Sequence, residues 1–249
     1  MQAIGNTLRA FGQKLDKVGV SIEGALSYTE RLVPSTRLVN HGGHKPALAS
    51  TTFVAPNASV IGEVSIGQGS SVWYGATVRG DVNAITIGDN TNIQDQAVVH
   101  AAKIANDFPT IIGNNVTIGP KAIIHAAKIS NQCIIGTGAQ VLDGAVVGEN
   151  SIITAGSIVT QGKSVPAGQL WSGIPARAVR DLTTEEIEFI KQCSLDYVEL
   201  SEAHSVEASK SFEEIEADKE KRKILDTVGE LGLEQPTEKR MDTGLFFKY

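Results

Sequence analysis

Two histidines, His100 and His125, close aliphatic strings in this sequence: Val98-Val-His100 and Val116-Thr-Ile-Gly-Pro-Lys-Ala-Ile-Ile-His125. Two further segments, Val78-Arg-Gly-Asp81 and Asn92-Ile-Gln-Asp95, carry charged and amide groups that such histidines could work with. Neutral imidazole suits zinc and also serves as a general base, so the pair admits metal chemistry or proton transfer. A plainer reading stands beside it. The imidazoles could be satisfied groups at a subunit interface, Arg79 and Asp81 could bind subunits, and Asn92 and Asp95 could shape corners of the chain. His41, His44 and His204 lie outside these segments and favour neither reading. Cys133 and Cys193 are far apart without metal-ligand spacing, which suits reduced thiols or small core residues.

What positions these residues is a repeat. Aliphatic side chains recur every six positions in four series: Val54 to Val78, Ile87 to Val99, Ile112 to Ile124 and Ile129 to Val165. Six fits neither a helix nor a half-buried strand, and it is the signature of a parallel β-helix built from hexapeptides. Each hexapeptide supplies one short flat side of a coil, with the aliphatic residue pointing inward. Gly62, Gly67, Gly88, Gly113, Gly119, Gly136 and Gly148 directly follow an aliphatic residue, where a Cβ would be crowded or a special backbone conformation is expected. The expected fold is an all-β core, a left-handed parallel β-helix, with an N-terminal amphipathic helix and C-terminal helices.

Composition narrows the function. A formal charge of -6 argues against a nucleic-acid surface, and no apolar run is long enough to span a bilayer. Three parts are expected: 1–45, helix and linker; 46–180, the β-helix; 181–249, helices and an extended tail. In the first, Ile4, Leu8, Phe11, Leu15, Val18 and Ile22 form a helical stripe, with Arg9, Gln13, Lys14 and Lys17 on other faces. That stripe fits packing on this or a partner protein, or a helix lying on a membrane surface or within an import signal. Asp16 and Glu23 dilute the import pattern. In the third part, Thr183-Thr-Glu-Glu186 is a capping box opening a helix whose apolar positions are Ile187, Ile190, Leu195, Val198 and Leu200. The tail ends in Leu245, Phe246, Phe247 and Tyr249, a cluster suited to docking.

Taken together, Trp73-Tyr-Gly-Ala-Thr-Val-Arg-Gly-Asp-Val82, Asn92-Ile-Gln-Asp95 and the hexapeptides resemble the γ-class carbonic anhydrases over about residues 50 to 180. The amphipathic first helix, the Trp171-to-Ala176 closure and Lys210-Ser-Phe-Glu-Glu-Ile-Glu216 resemble the γ-carbonic-anhydrase subunits attached to respiratory complex I in plant and algal mitochondria. That resemblance implies a trimer with zinc at each subunit interface, held by two histidines from one subunit, one from its neighbour, and a water. It assigns His100 and His125 as the same-subunit pair, Arg79 and Asp81 as an inter-subunit ion pair, and Gln94 as a hydrogen-bonding partner of water or substrate.

The third ligand position falls on Pro120. Proline has no side-chain donor atom, and Lys121 beside it would have to lose its proton to ligate. A homotrimer would therefore present two histidines per site. A heterotrimer would complete the His100/His125 site with a neighbour's histidine and leave the Pro120 interface incomplete. The leading expectation is a mainly structural subunit of a heterotrimer on the matrix side of the mitochondrial inner membrane, seated on the membrane arm of complex I. An active zinc enzyme hydrating CO2 is the second. A hexapeptide acyltransferase is the third, which the Arg-Gly-Asp and Asn-Ile-Gln-Asp segments disfavour.

Overall fold

The computed structural model describes residues 2–24, 37–103 and 109–230. The first helix, α1 (Gln2–Glu23), forms a unit by itself with the remainder of the chain as a second unit. Its stripe of Ile4, Leu8, Phe11, Leu15, Val18 and Ile22 is exposed along its whole length. The aromatic tail lies outside the described residues. No described helix is long and apolar enough to cross a membrane.

The repeats form a parallel solenoid of about seven coils. Residues one coil apart pair in register, so each aliphatic residue sits above its equivalent and three columns fill the interior. One column runs Val54, Val72, Ile93, Ile118, Ile135, Ile153 and Trp171. The second runs Val60, Val78, Val99, Ile124, Val141 and Val159. The third runs Ile66, Ile87, Ile112, Ile129, Val147 and Val165. All are buried, and each stabilises by roughly 1.5–3 kcal/mol relative to exposure. The coils approach closely at their corners because glycine lines them; a Cβ at Gly136 would stand 2.4 Å from the Ala155 nitrogen in the next coil. Gly62 differs, with φ +76 and the Gly80 carbonyl pressed against its missing Cβ.

After Trp171 the chain leaves the coil path in an antiparallel hairpin, Gln169–Gly173 with Ala176–Asp181. Thr183 then caps α2 (Thr184–Ser209) in the expected capping box with Glu186. This helix packs along the face carrying the first column. Its packed side differs from the expectation at Leu195, which is exposed. Ser194 and Ser201 are buried instead, and partly buried Tyr197 and His204 share that side at alternating three- and four-residue spacing. Small serines let the helix backbone come close, while Tyr197 and His204 bring rings onto Trp73 at 5.5 and 4.9 Å. A third helix, α3 (Phe212–Glu230), follows after Lys210 and is exposed and charge-rich.

Candidate functional site

The solenoid sorts the candidate residues onto two corners. His100 and His125 end strands of the second column and sit in register across adjacent coils; Arg79 is in register with His100 one coil earlier. This is the corner between the second and third columns. All three breaks in the six-residue period fall there: Val78 to Ile87 is nine positions, Val99 to Ile112 thirteen, and Ile124 to Ile129 five. Thr110 donates its hydroxyl to the His100 carbonyl.

Four titratable side chains stand in one contiguous column along this corner. Asp81 Oδ1 accepts from His100 Nε2 at 3.0 Å; His100 Nδ1 lies 3.1 Å from His125 Nε2; His125 Nδ1 donates to Asp143. Arg79 flanks the column by donating to the second oxygen of Asp81. Burial alone would raise the Asp81 pKa, but the hydrogen bonds from His100 and Arg79 outweigh it and hold the carboxyl below its ordinary value. His100 is pushed below the ordinary imidazole value, first by burial, with Arg79 adding to it against the opposing pull of Asp81. Its ring is therefore neutral near pH 7.

The proton arrangement follows from the partners. Ionised Asp81 has no hydrogen to give, so His100 donates through Nε2 and presents a lone pair at Nδ1. His100 Nδ1 faces His125 Nε2 at 3.1 Å. Two ligand nitrogens at about 2.0–2.1 Å from a tetrahedral zinc would stand roughly 3.3 Å apart, so the pair fits the metal with little movement. Carboxylates behind both rings complete the usual support of metal-binding histidines. Among the described residues no group of three His, Cys, Asp or Glu side chains is arranged to hold a metal.

The remaining candidates occupy the other end of the same strands, the corner between the first and second columns. Gln94 donates to Asn92, which donates to Thr117, and all three are buried. Tyr197 of α2 shares a hydrogen bond with Gln94, and burial drives its phenol up to about 12. Asp95 is exposed at this corner, where its carbonyl accepts from Lys121 N, and Pro120 stands half-buried with its own carbonyl accepting from Gly138 N. Lys121 is exposed with φ +59. Five residues, up to about 16 Å of extended chain, separate Pro120 from His125. Pro120 precedes and His125 ends the strand Ile123–His125, so the two lie toward opposite ends of one side of the coil.

Asp143 is the site residue that sequence reading missed. In an Asp-Gly turn it reads as an ordinary corner residue. The signal was spacing: Ile124 pairs with Val141, so Leu142 stands one coil after His125 and Asp143 directly follows it. His204 was also passed over, and the structure gives it a structural place, 2.9 Å from the Tyr74 hydroxyl and edge-on to Trp73.

The fold and the corner pair define a parallel hexapeptide solenoid with a histidine pair supported by carboxylates on one outer corner. Known proteins give that class a family. Gamma carbonic anhydrase 2, mitochondrial, of Arabidopsis thaliana is 45% identical over 223 residues, covering 88% of this chain and 80% of that protein. Gamma carbonic anhydrase 1, mitochondrial, of the same plant is 44% identical over 224 residues, covering 89% and 82%. The family model described as the gamma carbonic anhydrase 1, mitochondrial C-terminal domain matches residues 187–230, which fall in α2 and α3. Among solved structures, a hexapeptide transferase family protein from Anaplasma phagocytophilum superposes with a TM-score of 0.64 at 43% identity, covering 68% of this chain and 98% of that one. The chain belongs to the γ-carbonic anhydrase family.

Proposed function

We propose that this chain is a mainly structural γ-carbonic-anhydrase subunit that holds zinc only in a mixed trimer, where its His100/His125 pair meets a histidine from a neighbour. The observation that carries this reading is the separation of the pair from Pro120 on opposite corners of one face, with a side chain at 120 that cannot ligate. At its first interface the chain offers two nitrogens; at its second it offers none to the neighbour's pair. His100 and His125 would hold the metal, Asp81 and Asp143 would hold the rings, and Arg79 would balance Asp81. A zinc ion bound there supplies Lewis acidity that makes water acidic enough to ionise near neutral pH, the chemistry of CO2 hydration. Gln94, fixed by Asn92 and Tyr197, would serve the neighbour's site from the Pro120 corner.

Mitochondrial placement draws support from the mitochondrial names of the relatives. The seat on the matrix side of the inner membrane, against the membrane arm of complex I, draws on the resemblance of the flanks to complex I-associated subunits and on the exposed apolar stripe of α1. The test is the zinc content of the purified chain against its Pro120→His variant. The wild-type chain alone should bind zinc weakly and below stoichiometry, and the variant should approach one zinc per subunit. Tight stoichiometric zinc in the wild-type homotrimer, or unchanged affinity in the variant, would overturn the assignment of Pro120. Failure of the chain to co-migrate with complex I on native gels of mitochondrial membranes would overturn the placement.

A further inference from the structure

We infer that Asp143 is a positioning residue, which fixes His125 in the Nδ1–H tautomer and thereby aims its bare Nε2 at the space shared with His100. A histidine ring on a flexible side chain favours the opposite tautomer, with hydrogen on Nε2. In that form the His125 nitrogen nearest His100 would carry a hydrogen, blocking a cation from that side. Asp143 selects the other form because its carboxylate oxygen sits within hydrogen-bonding reach of Nδ1 and can only accept.

The backbone makes the selection rigid. Asp143 belongs to the corner turn of the next coil: the Asp143 carbonyl accepts from Gly162 N at 2.8 Å, and Gly144 N donates to the Ala126 carbonyl at 2.7 Å. These bonds tie the turn to the coil above and to the residue following His125. The carboxylate is therefore presented by hydrogen bonds between coils rather than by a flexible loop. Asp81 does the equivalent for His100 from the opposite direction, so the imidazole pair is clamped between carboxylates from the coil before and the coil after.

The tautomer part of this inference stands without any metal; its zinc part rests on the ligand role of His125 proposed above. The experiment is nitrogen NMR of the full-length, metal-free chain labelled at histidine, at mildly alkaline pH. The expected wild-type spectrum shows His125 with a protonated Nδ1 and a bare Nε2. Asp143→Ala should move the proton to Nε2 or average the two forms. Asp143→Asn keeps a carbonyl acceptor and the turn chemistry, and should restore the wild-type tautomer. A purely structural aspartate would lower stability without moving the proton. In the Pro120→His background, Asp143→Ala should weaken zinc binding about 10–100-fold and Asp143→Asn by less. An Nε2–H tautomer in the wild-type chain overturns the inference even if no variant folds. Unchanged zinc affinity in Pro120→His/Asp143→Ala overturns its metal part. If Pro120→His gains no zinc, the reading of Pro120 falls, and the wild-type tautomer still decides the role of Asp143.

Discussion

Replacing Gly136 by alanine tests the close stacking that holds the coils together. The added Cβ would lie 2.4 Å from Ala155 N, 2.7 Å from the Thr154 carbonyl carbon and 2.9 Å from Ala155 Cα, where ordinary contact begins near 3.4 Å. The opposing atoms are backbone and cannot swing aside, so the two coils must part by roughly 1 Å. Two inter-coil hydrogen bonds bracket the spot, Gly136 N to the Ile153 carbonyl at 2.8 Å and Gly156 N to the Thr137 carbonyl at 2.9 Å. A parting of that size stretches both to about 3.8 Å, beyond useful geometry. Each bond lost in the interior costs about 1–3 kcal/mol, which places Gly136→Ala at roughly 3–4 kcal/mol. Gly138→Ala is the internal control. Its Cβ would meet nothing within 4 Å, and φ +65 exposes only the intrinsic left-handed penalty of about 1–2 kcal/mol. Guanidinium unfolding followed by far-ultraviolet circular dichroism would read both. If Gly136→Ala cost no more than Gly138→Ala, the close-approach argument would be wrong.

Glu186 supplies a pH dependence. Its hydrogen bonds from Arg180, and from the Thr183 backbone, lower its carboxyl from 4.5 to about 2. A depressed carboxylate adds stability that is fully present above the unfolded value and lost as pH falls from 4.5 toward 2. The gain is about 1 kcal/mol or less because Arg180 is half exposed, and Glu186→Gln should flatten that stretch of a melting-temperature profile. A profile unchanged by the variant would remove the role. Cys133 supplies a reactivity. Fully buried, with its thiol donating to the Gly148 carbonyl and its pKa pushed up to about 12 by burial, it should ignore Ellman's reagent until the solenoid unfolds. Labelling of Cys133 in the folded chain would contradict its place in the core.

The fold was legible because its determinant is one-dimensional. A coil side is six residues long and each coil repeats the last, so a list of Ile and Val positions predicts the three columns. The site was half legible. His100 and His125 stand out by type, and Pro120 by the absence of a ligand. What hid Asp143 is that its chemistry depends on stacking: two residues eighteen apart meet only after the coils are counted and their register fixed. The period breaks after Val78, Val99 and Ile124 could have located the corner in advance, since irregular coils are where a regular solenoid makes room for side chains. The face of α2 was misread at Leu195 for a different reason. Close packing of a helix on a sheet is served by small groups as well as apolar ones, and Ser194 and Ser201 fill that place.

On the proposed reading, the histidine pair and Pro120 at opposite corners of one face give the chain a donor edge and an acceptor edge, and a closed ring built from it would have a direction. On that reading, each interface is complete only if the member facing the histidine pair carries a histidine where this chain carries proline. The number of complete sites in a ring then equals the number of such members, whatever their order around the circle. Swapping one intact subunit for this chain removes one site and leaves the ring closed. Subunit expression would thus set catalytic capacity in whole steps, separately from the number of rings assembled.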